Sequence, residues 1–200
     1  HQLATKERTV KRLMADADID PGLVHPPVGM DEPWYYRNNM EFSFGDTADR
    51  EFALGLYPRG YHYEILNLDE CLLQSDFTSE FVPALRMWAI QHGLAPYINK
   101  DDEGFLRTLT IREGKHTGQR LVEVMTTHAP EAFFDGETVA AEDVAEQFRD
   151  AALDIADEIG GELTSIYWTQ KRAVRGEPTR FVEHHLAGNE VLVEQLRLPD

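Results

Sequence analysis

The sequence predicts an α+β fold, a mostly antiparallel sheet built from hairpins with about three packed helices. Three observations carry that prediction. Apolar residues alternate with polar ones through Met40, Phe42 and Phe44, and again through Phe52, Leu54 and Leu56, as in half-buried strands. Glycine-flanked turns connect successive strands, most clearly over residues 114–118. Other stretches place apolar residues three and four apart, the spacing of amphipathic helices. With 200 residues, 42% of them hydrophobic, the chain can bury a real core.

Residues 1–16 read as an opening helix, with Leu3, Val10, Leu13 and Met14 on one stripe and Lys6, Glu7, Arg8, Lys11 and Arg12 mostly off it. Asp20-Pro21-Gly22 should stop it, and residues 17–34, with Pro26-Pro27-Val28-Gly29, read as a linker. Residues 35–200 form the α+β body. Its first hairpin joins strands over 39–45 and 51–57 through Gly45-Asp46-Thr47-Ala48-Asp49, and a third strand is expected over 63–68. A helix follows, carrying Phe81, Val82, Leu85, Trp88 and Ala89, with Ser79 as its N-cap and Gly93 at its end. The second hairpin pairs 105–113 with 119–127.

The clearest helix spans 140–159, its apolar stripe Val144, Phe148, Ala152, Ile155 and Ile159 backed by a solvated acidic face. Gly160-Gly161 closes it. Strands are expected over 163–170, and more weakly over 181–185 and 191–198. The adjacent His184 and His185 alternate sides of a strand, a poor arrangement for a shared metal.

The net charge of −17 excludes a general nucleic-acid binder, since phosphate contact needs clustered Lys and Arg; any RNA contact has to be local. No run approaches the roughly 18 apolar residues of a membrane span, and the start lacks the build of a signal peptide, so no membrane partner and a cytoplasmic location are expected. There is no phosphate-cradling glycine loop after a strand and no Gly-x-Ser-x-Gly elbow. The lone Cys71, in Asp69-Glu70-Cys71-Leu72-Leu73-Gln74, reads on its chemistry either as a small buried hydrophobe or as one ligand of a site completed from outside the chain.

Several segments together resemble the RNA uracil-C5 methyltransferases, which make 5-methyluridine in ribosomal and transfer RNA, and the match is to their central domain. The landmarks are Tyr36-Arg37-Asn38-Asn39-Met40-Glu41-Phe42-Ser43-Phe44-Gly45, Leu54-Gly55-Leu56-Tyr57 through His62 to the Cys71 segment, Leu109-Thr110-Ile111-Arg112-Glu113-Gly114-Lys115-His116-Thr117-Gly118, and Ser165-Ile166-Tyr167-Trp168. The resemblance implies that the chain is a segment of a larger S-adenosylmethionine-dependent enzyme, inactive alone. The cysteine nucleophile, the carboxylate base and the S-adenosylmethionine site would lie in a further domain, so no catalytic or cofactor residue is assigned here. It also implies that Cys71 is the fourth ligand of an iron–sulfur cluster whose other cysteines precede the first helix.

What remains for this chain is RNA positioning, with ribosomal RNA favoured over transfer RNA. Arg37 beside Tyr36, with Asn38 and Asn39 following, offers a charged fork next to an aromatic face. Asn39 stands where a lysine is common in the family. Arg59, His62, Arg112 and Lys115 are secondary candidates, with His116 beside them. The competing expectation is a non-catalytic module that binds RNA or a protein partner with the same fold.

Overall fold

The computed structural model describes residues 1–61, 63–174 and 176–196, and the chain divides into two compact units, residues 1–34 and 35–200. In the first unit, helix α1 (Gln2–Asp16) is followed by a single 3-10 turn (Pro21–Leu23), whose N-cap Asp20 accepts a hydrogen bond from Gly22 N at 2.9 Å. The apolar stripe of α1 stays on the surface: Leu3, Val10 and Leu13 are 42–56% exposed.

The second unit is α+β, as the periodicities indicate. Among the described residues nine strands and two helices run β1 (Asn39–Asp46), β2 (Phe52–Leu56), β3 (Leu66–Asn67), α2 (Asp76–Gln91), β4 (Leu106–Glu113), β5 (Arg120–Thr127), β6 (Glu131–Phe134), β7 (Glu137–Ala140), α3 (Ala141–Glu158), β8 (Ser165–Arg172) and β9 (Arg180–Gly188). Seven of them form one sheet in the order β3-β2-β1-β4-β5-β8-β9. Every neighbouring pair is antiparallel except β5 and β8. A parallel pair cannot be closed by a tight turn, and α3 lies on the crossover that makes it.

Strand alternation sends Met40, Phe42, Phe44, Leu54, Leu109, Ile111, Val122, Val124, Ile166 and Trp168 to one face, where they form a single core with Phe81 and Leu85 of α2 and Val144 and Phe148 of α3. Among the described residues both helices of the second unit pack into that core, and neither lies on the opposite face. It carries Glu41, Ser43, Thr108, Arg112, Glu123, Met125, Tyr167 and Lys171, by the register of the ladders.

The elements depart from the expectations in four places. Helix α2 starts at Asp76 with Ser75 as its N-cap, so Ser79 lies within the first turn; its hydroxyl instead accepts from Cys71 N at 2.9 Å. The third strand shrinks to two residues, because only Leu66 and Asn67 meet β2. An additional hairpin, β6–β7, packs Phe134 against Trp88 and stacks it on His92 at 4.6 Å, closing the end of α2. The strand expected over 191–198 is not formed: residues 191–196 run as an irregular tail pinned by side chains, and 197–198 lie outside the described residues. His184 and His185 do alternate, one stacked on Trp168 and the other against Tyr167.

Candidate nucleic-acid interface

The Tyr36-Arg37-Asn38 segment precedes β1 and has no strand partner of its own, yet its backbone is fixed. Tyr35 N donates to Leu72 O at 2.9 Å and Arg37 N to Leu73 O at 2.7 Å, so the segment lies along the chain that follows Cys71. That chain is anchored in turn by Gln74, a fully buried amide. Its Nε2 donates to Ile111 O at 2.8 Å, and its Oε1 accepts from Thr78 Oγ1 at 2.9 Å. Both polar ends are satisfied, as a buried amide requires.

Tyr36 is 47% exposed and Arg37 is exposed. Among the described residues Arg37 has no carboxylate partner; its guanidinium reaches only the Met40 sulfur, at 3.6 Å. Asn38 turns the other way, donating to Glu113 O at 3.3 Å and Glu194 Oε2 at 3.0 Å.

The turn between β4 and β5 meets this segment through a buried carboxylate. Glu113, 5% exposed, accepts from Ser75 Oγ and from the Lys115 ammonium, with Arg120 Nε at 3.7 Å. Lys115 also donates to Gln74 O at 3.2 Å. A buried carboxylate needs such company, since desolvation alone would make its charge costly. Lys115 therefore holds the site together, and its charge is already shared.

Glu194 fixes the tail to the same turn. Its carboxylate accepts from the amides of Lys115 at 2.5 Å, His116 at 3.1 Å and Gln195 at 2.8 Å. Desolvation pushes its pKa up, but the three backbone donors outweigh it and the pKa lies below the ordinary 4.5. Because the folded value is the lower one, the tether is at full strength above the unfolded value and is lost as pH falls through the folded value. The amide resonances of Lys115 and His116 should accordingly titrate together below pH 4.5, followed by nuclear magnetic resonance, and Glu194→Gln should abolish that titration.

The structure thus brings Tyr36, Arg37, Asn38 and Lys115 to the end of the sheet beside the Cys71 segment. Asn39 and Arg112 are direct cross-strand partners on the open face. Arg59 follows β2 in an exposed loop and, among the described residues, makes no hydrogen bond or ion pair to the others, and His62 lies outside the described residues. Cys71 is a free thiol, 3% exposed and part of the core. It fits one ligand position of a buried iron–sulfur cluster, but such a cluster takes four thiolates and this sequence holds one. No group of three or more potential metal ligands occurs among the described residues. Gln74, Glu113 and Glu194 were not legible as site residues: each ties the site together through at least one partner 37 or more positions away.

No family model matches the chain. Its sequence is 29% identical over all 200 residues to an uncharacterized RNA methyltransferase of Protochlamydia amoebophila, of which it covers 44%. It is 35% identical over 197 residues to one of Nitratidesulfovibrio vulgaris, covering 39% of it. By sequence the chain is similar to proteins designated RNA methyltransferases. It spans less than half the length of these curated relatives. Among solved structures it resembles the Pyrococcus abyssi tRNA (uracil-54, C5)-methyltransferase in complex with S-adenosyl-L-homocysteine, with a TM-score of 0.64 and 22% identity over 98% of this chain and 39% of that one. The two share a fold. The methyltransferase resemblance read from the scattered segments is therefore sound, and no described helix is long and apolar enough to cross a membrane.

Proposed function

We propose that this chain is the RNA-positioning central part of an S-adenosylmethionine-dependent RNA uracil-C5 methyltransferase, with ribosomal RNA as its substrate. The observation that carries the reading is Arg37. Its backbone is held from the Cys71–Ser75 segment, its guanidinium has no carboxylate partner among the described residues, and Tyr36 beside it is half exposed. A guanidinium without a carboxylate partner is free to take a phosphate, and an aromatic neighbour suits an unstacked base. The relatives' designation as RNA methyltransferases supports the reaction class, and the solved neighbour's uracil-C5 chemistry and bound S-adenosylhomocysteine support the methyl donor.

In this reading Arg37 takes a phosphate, Tyr36 a base, and Asn39 with Arg112 continues the contact onto the open sheet face. Cys71 contributes one ligand to an iron–sulfur cluster completed elsewhere in the enzyme; no catalytic step is assigned to it. The methyl group moves from the donor sulfonium to C5 of a uridine, whose C5 proton is lost, on residues outside this chain.

Arg37→Ala should weaken RNA binding several-fold and reduce the slope of log affinity against log salt by about 0.7, the release expected for one single-strand phosphate contact. An unchanged slope and affinity would remove Arg37 from the interface. Incubating the enzyme with labelled S-adenosylmethionine and either ribosomal or transfer RNA tests the rest. The expected product is 5-methyluridine in ribosomal RNA; label in transfer RNA alone overturns the substrate, and RNA binding with no methylated uridine overturns the enzyme in favour of a binding module.

A further inference from the structure

A hollow of about 300 Å³ crosses the open face of the sheet at the end away from Asn39. Its floor is laid by Glu41 and Ser43 of β1, Thr108 of β4, Met125 of β5 and Lys171 of β8, while Tyr57, Tyr97, Arg107 and Phe181 stand at its rim. It opens, past Tyr57 and Tyr97, into a second hollow of about 550 Å³ that reaches Tyr63 and Lys100.

Four features say what chemistry it would take. The rings at its edge remain available: Tyr57 is 40% and Phe181 54% exposed. Tyr97 is already a stacking platform, with the Arg107 guanidinium 3.6 Å from its ring centroid. Arg107 and Lys171 have no carboxylate partner among the described residues, and Glu41 is the one carboxylate in the smaller hollow's lining. The Thr108 hydroxyl, shut off from solvent, has no hydrogen-bond partner among the described residues, an omission that costs free energy unless a ligand satisfies it.

The backbone offers nothing here, because β1, β4, β5 and β8 are all paired on both sides. Recognition must go through side chains. Aromatic rings, unpaired cations and a lone hydroxyl on a sheet face match an unstacked nucleobase with its phosphates better than a peptide strand, which would need a free edge. The size agrees, since small planar ligands occupy hollows of about 300 Å³ and upward.

We propose that this hollow is a second RNA subsite. It takes one or two bases of a single-stranded segment on the Tyr57, Tyr97 and Phe181 rings, with Arg107 and Lys171 on the flanking phosphates and Thr108 bonded to a base edge. The inference rests on the RNA-positioning reading above and extends it. From Asn39 to Ser43 is four strand residues, roughly 13 Å, so a strand held at Arg37 and Arg112 reaches the hollow along the same face.

The test is fluorescence anisotropy of a labelled single-stranded octauridylate titrated with the chain and with Tyr97→Ala, Tyr97→Phe, Phe181→Ala, Lys171→Gln and Arg37→Ala variants, each checked for an unchanged thermal midpoint. Tyr97→Ala and Phe181→Ala should each weaken binding about tenfold. Tyr97→Phe should stay within twofold, because the ring is what acts, and Lys171→Gln should lower the salt slope by about 0.7. A 4-thiouridine oligomer should photo-crosslink to a peptide containing Tyr57, Tyr97 or Phe181. If Arg37→Ala weakens binding while the groove variants bind as the parent does, the subsite is refuted and the positioning role stands. If no variant changes binding, both fall. Crosslinks confined to residues outside the groove would assign the hollow to a protein contact instead and overturn the proposal.

Discussion

Trp168→Ala is expected to lower the stability of the sheet unit by about 3–5 kcal/mol, the largest loss of any single side chain considered. Trp168 is the bulkiest fully buried residue, 2% exposed, in the middle of β8, itself an interior strand between β5 and β9. Truncation would open a cavity bounded by Phe44, Leu85, Val124 and Phe148, side chains from α2, α3 and two strands, which cannot all collapse inward. The indole N–H also donates to Thr126 Oγ1 at 2.9 Å, and His184 stacks on the ring at 4.6 Å. Urea denaturation should show the midpoint fall with the slope retained, and a thermal midpoint lower by roughly 10 °C. Trp168→Phe should recover most of the loss but not the part due to the N–H, since Thr126 would lose a buried partner. A change below about 1 kcal/mol for the alanine variant would mean that the packing around β8 is not as described.

The sheet was legible because its strands alternate so regularly. Met40, Phe42 and Phe44 meet Ile111, Leu109 and Leu54 across the ladders, and the two main hairpins follow. Helix α3 was legible for the same reason: Val144, Phe148 and Ala152 are buried, while Glu142, Asp143, Glu146, Asp150 and Asp154 are exposed. The β6–β7 hairpin was missed although it carries a signal. Asp135 and Gly136 form its turn with φ of 52° and 85°, the two positive values that an Asp-Gly pair is suited to supply. The start of α2 was misplaced because Pro83 drew the N-cap toward itself; the helix absorbs the proline at its eighth position, where only the Ser79 carbonyl loses its amide partner.

The site was legible only as separate landmarks. Asn39 opposite Arg112, and Gln74 bonded to Ile111, depend on which strands become neighbours, and no local pattern encodes that. The Tyr97–Arg107 stack was hidden for another reason. Arg107 sits where the β4–β5 register shifts, so period-two counting assigns its side chain to no single face.

Gly55→Ala should be nearly as damaging as loss of Trp168, by about 2–4 kcal/mol, and more instructive about the interface. Gly55 faces Asn67 across the β2–β3 ladder, and a Cβ there would stand 1.9 Å from Leu66 O and 2.9 Å from Leu68 N. Both are backbone atoms, so no rotamer change can relieve the clash; β3 must move. The movement would break the bonds from Leu54 N to Asn67 Oδ1 at 3.0 Å and from Leu68 N to Leu54 O at 3.2 Å. Three residues after Leu68 comes Cys71, and then Leu72 and Leu73, whose carbonyls hold Tyr35 and Arg37. A methyl group that touches no RNA is therefore expected to loosen Arg37, seen as faster amide exchange at Leu54, Leu68 and Arg37 together and as weaker RNA binding. The competing anchor is Gln74, tied to Ile111 independently of β3. If exchange quickens at Leu54 and Leu68 while Arg37 keeps its protection, Gln74 alone sets the position of the guanidinium, and Gln74→Leu becomes the substitution that should release it.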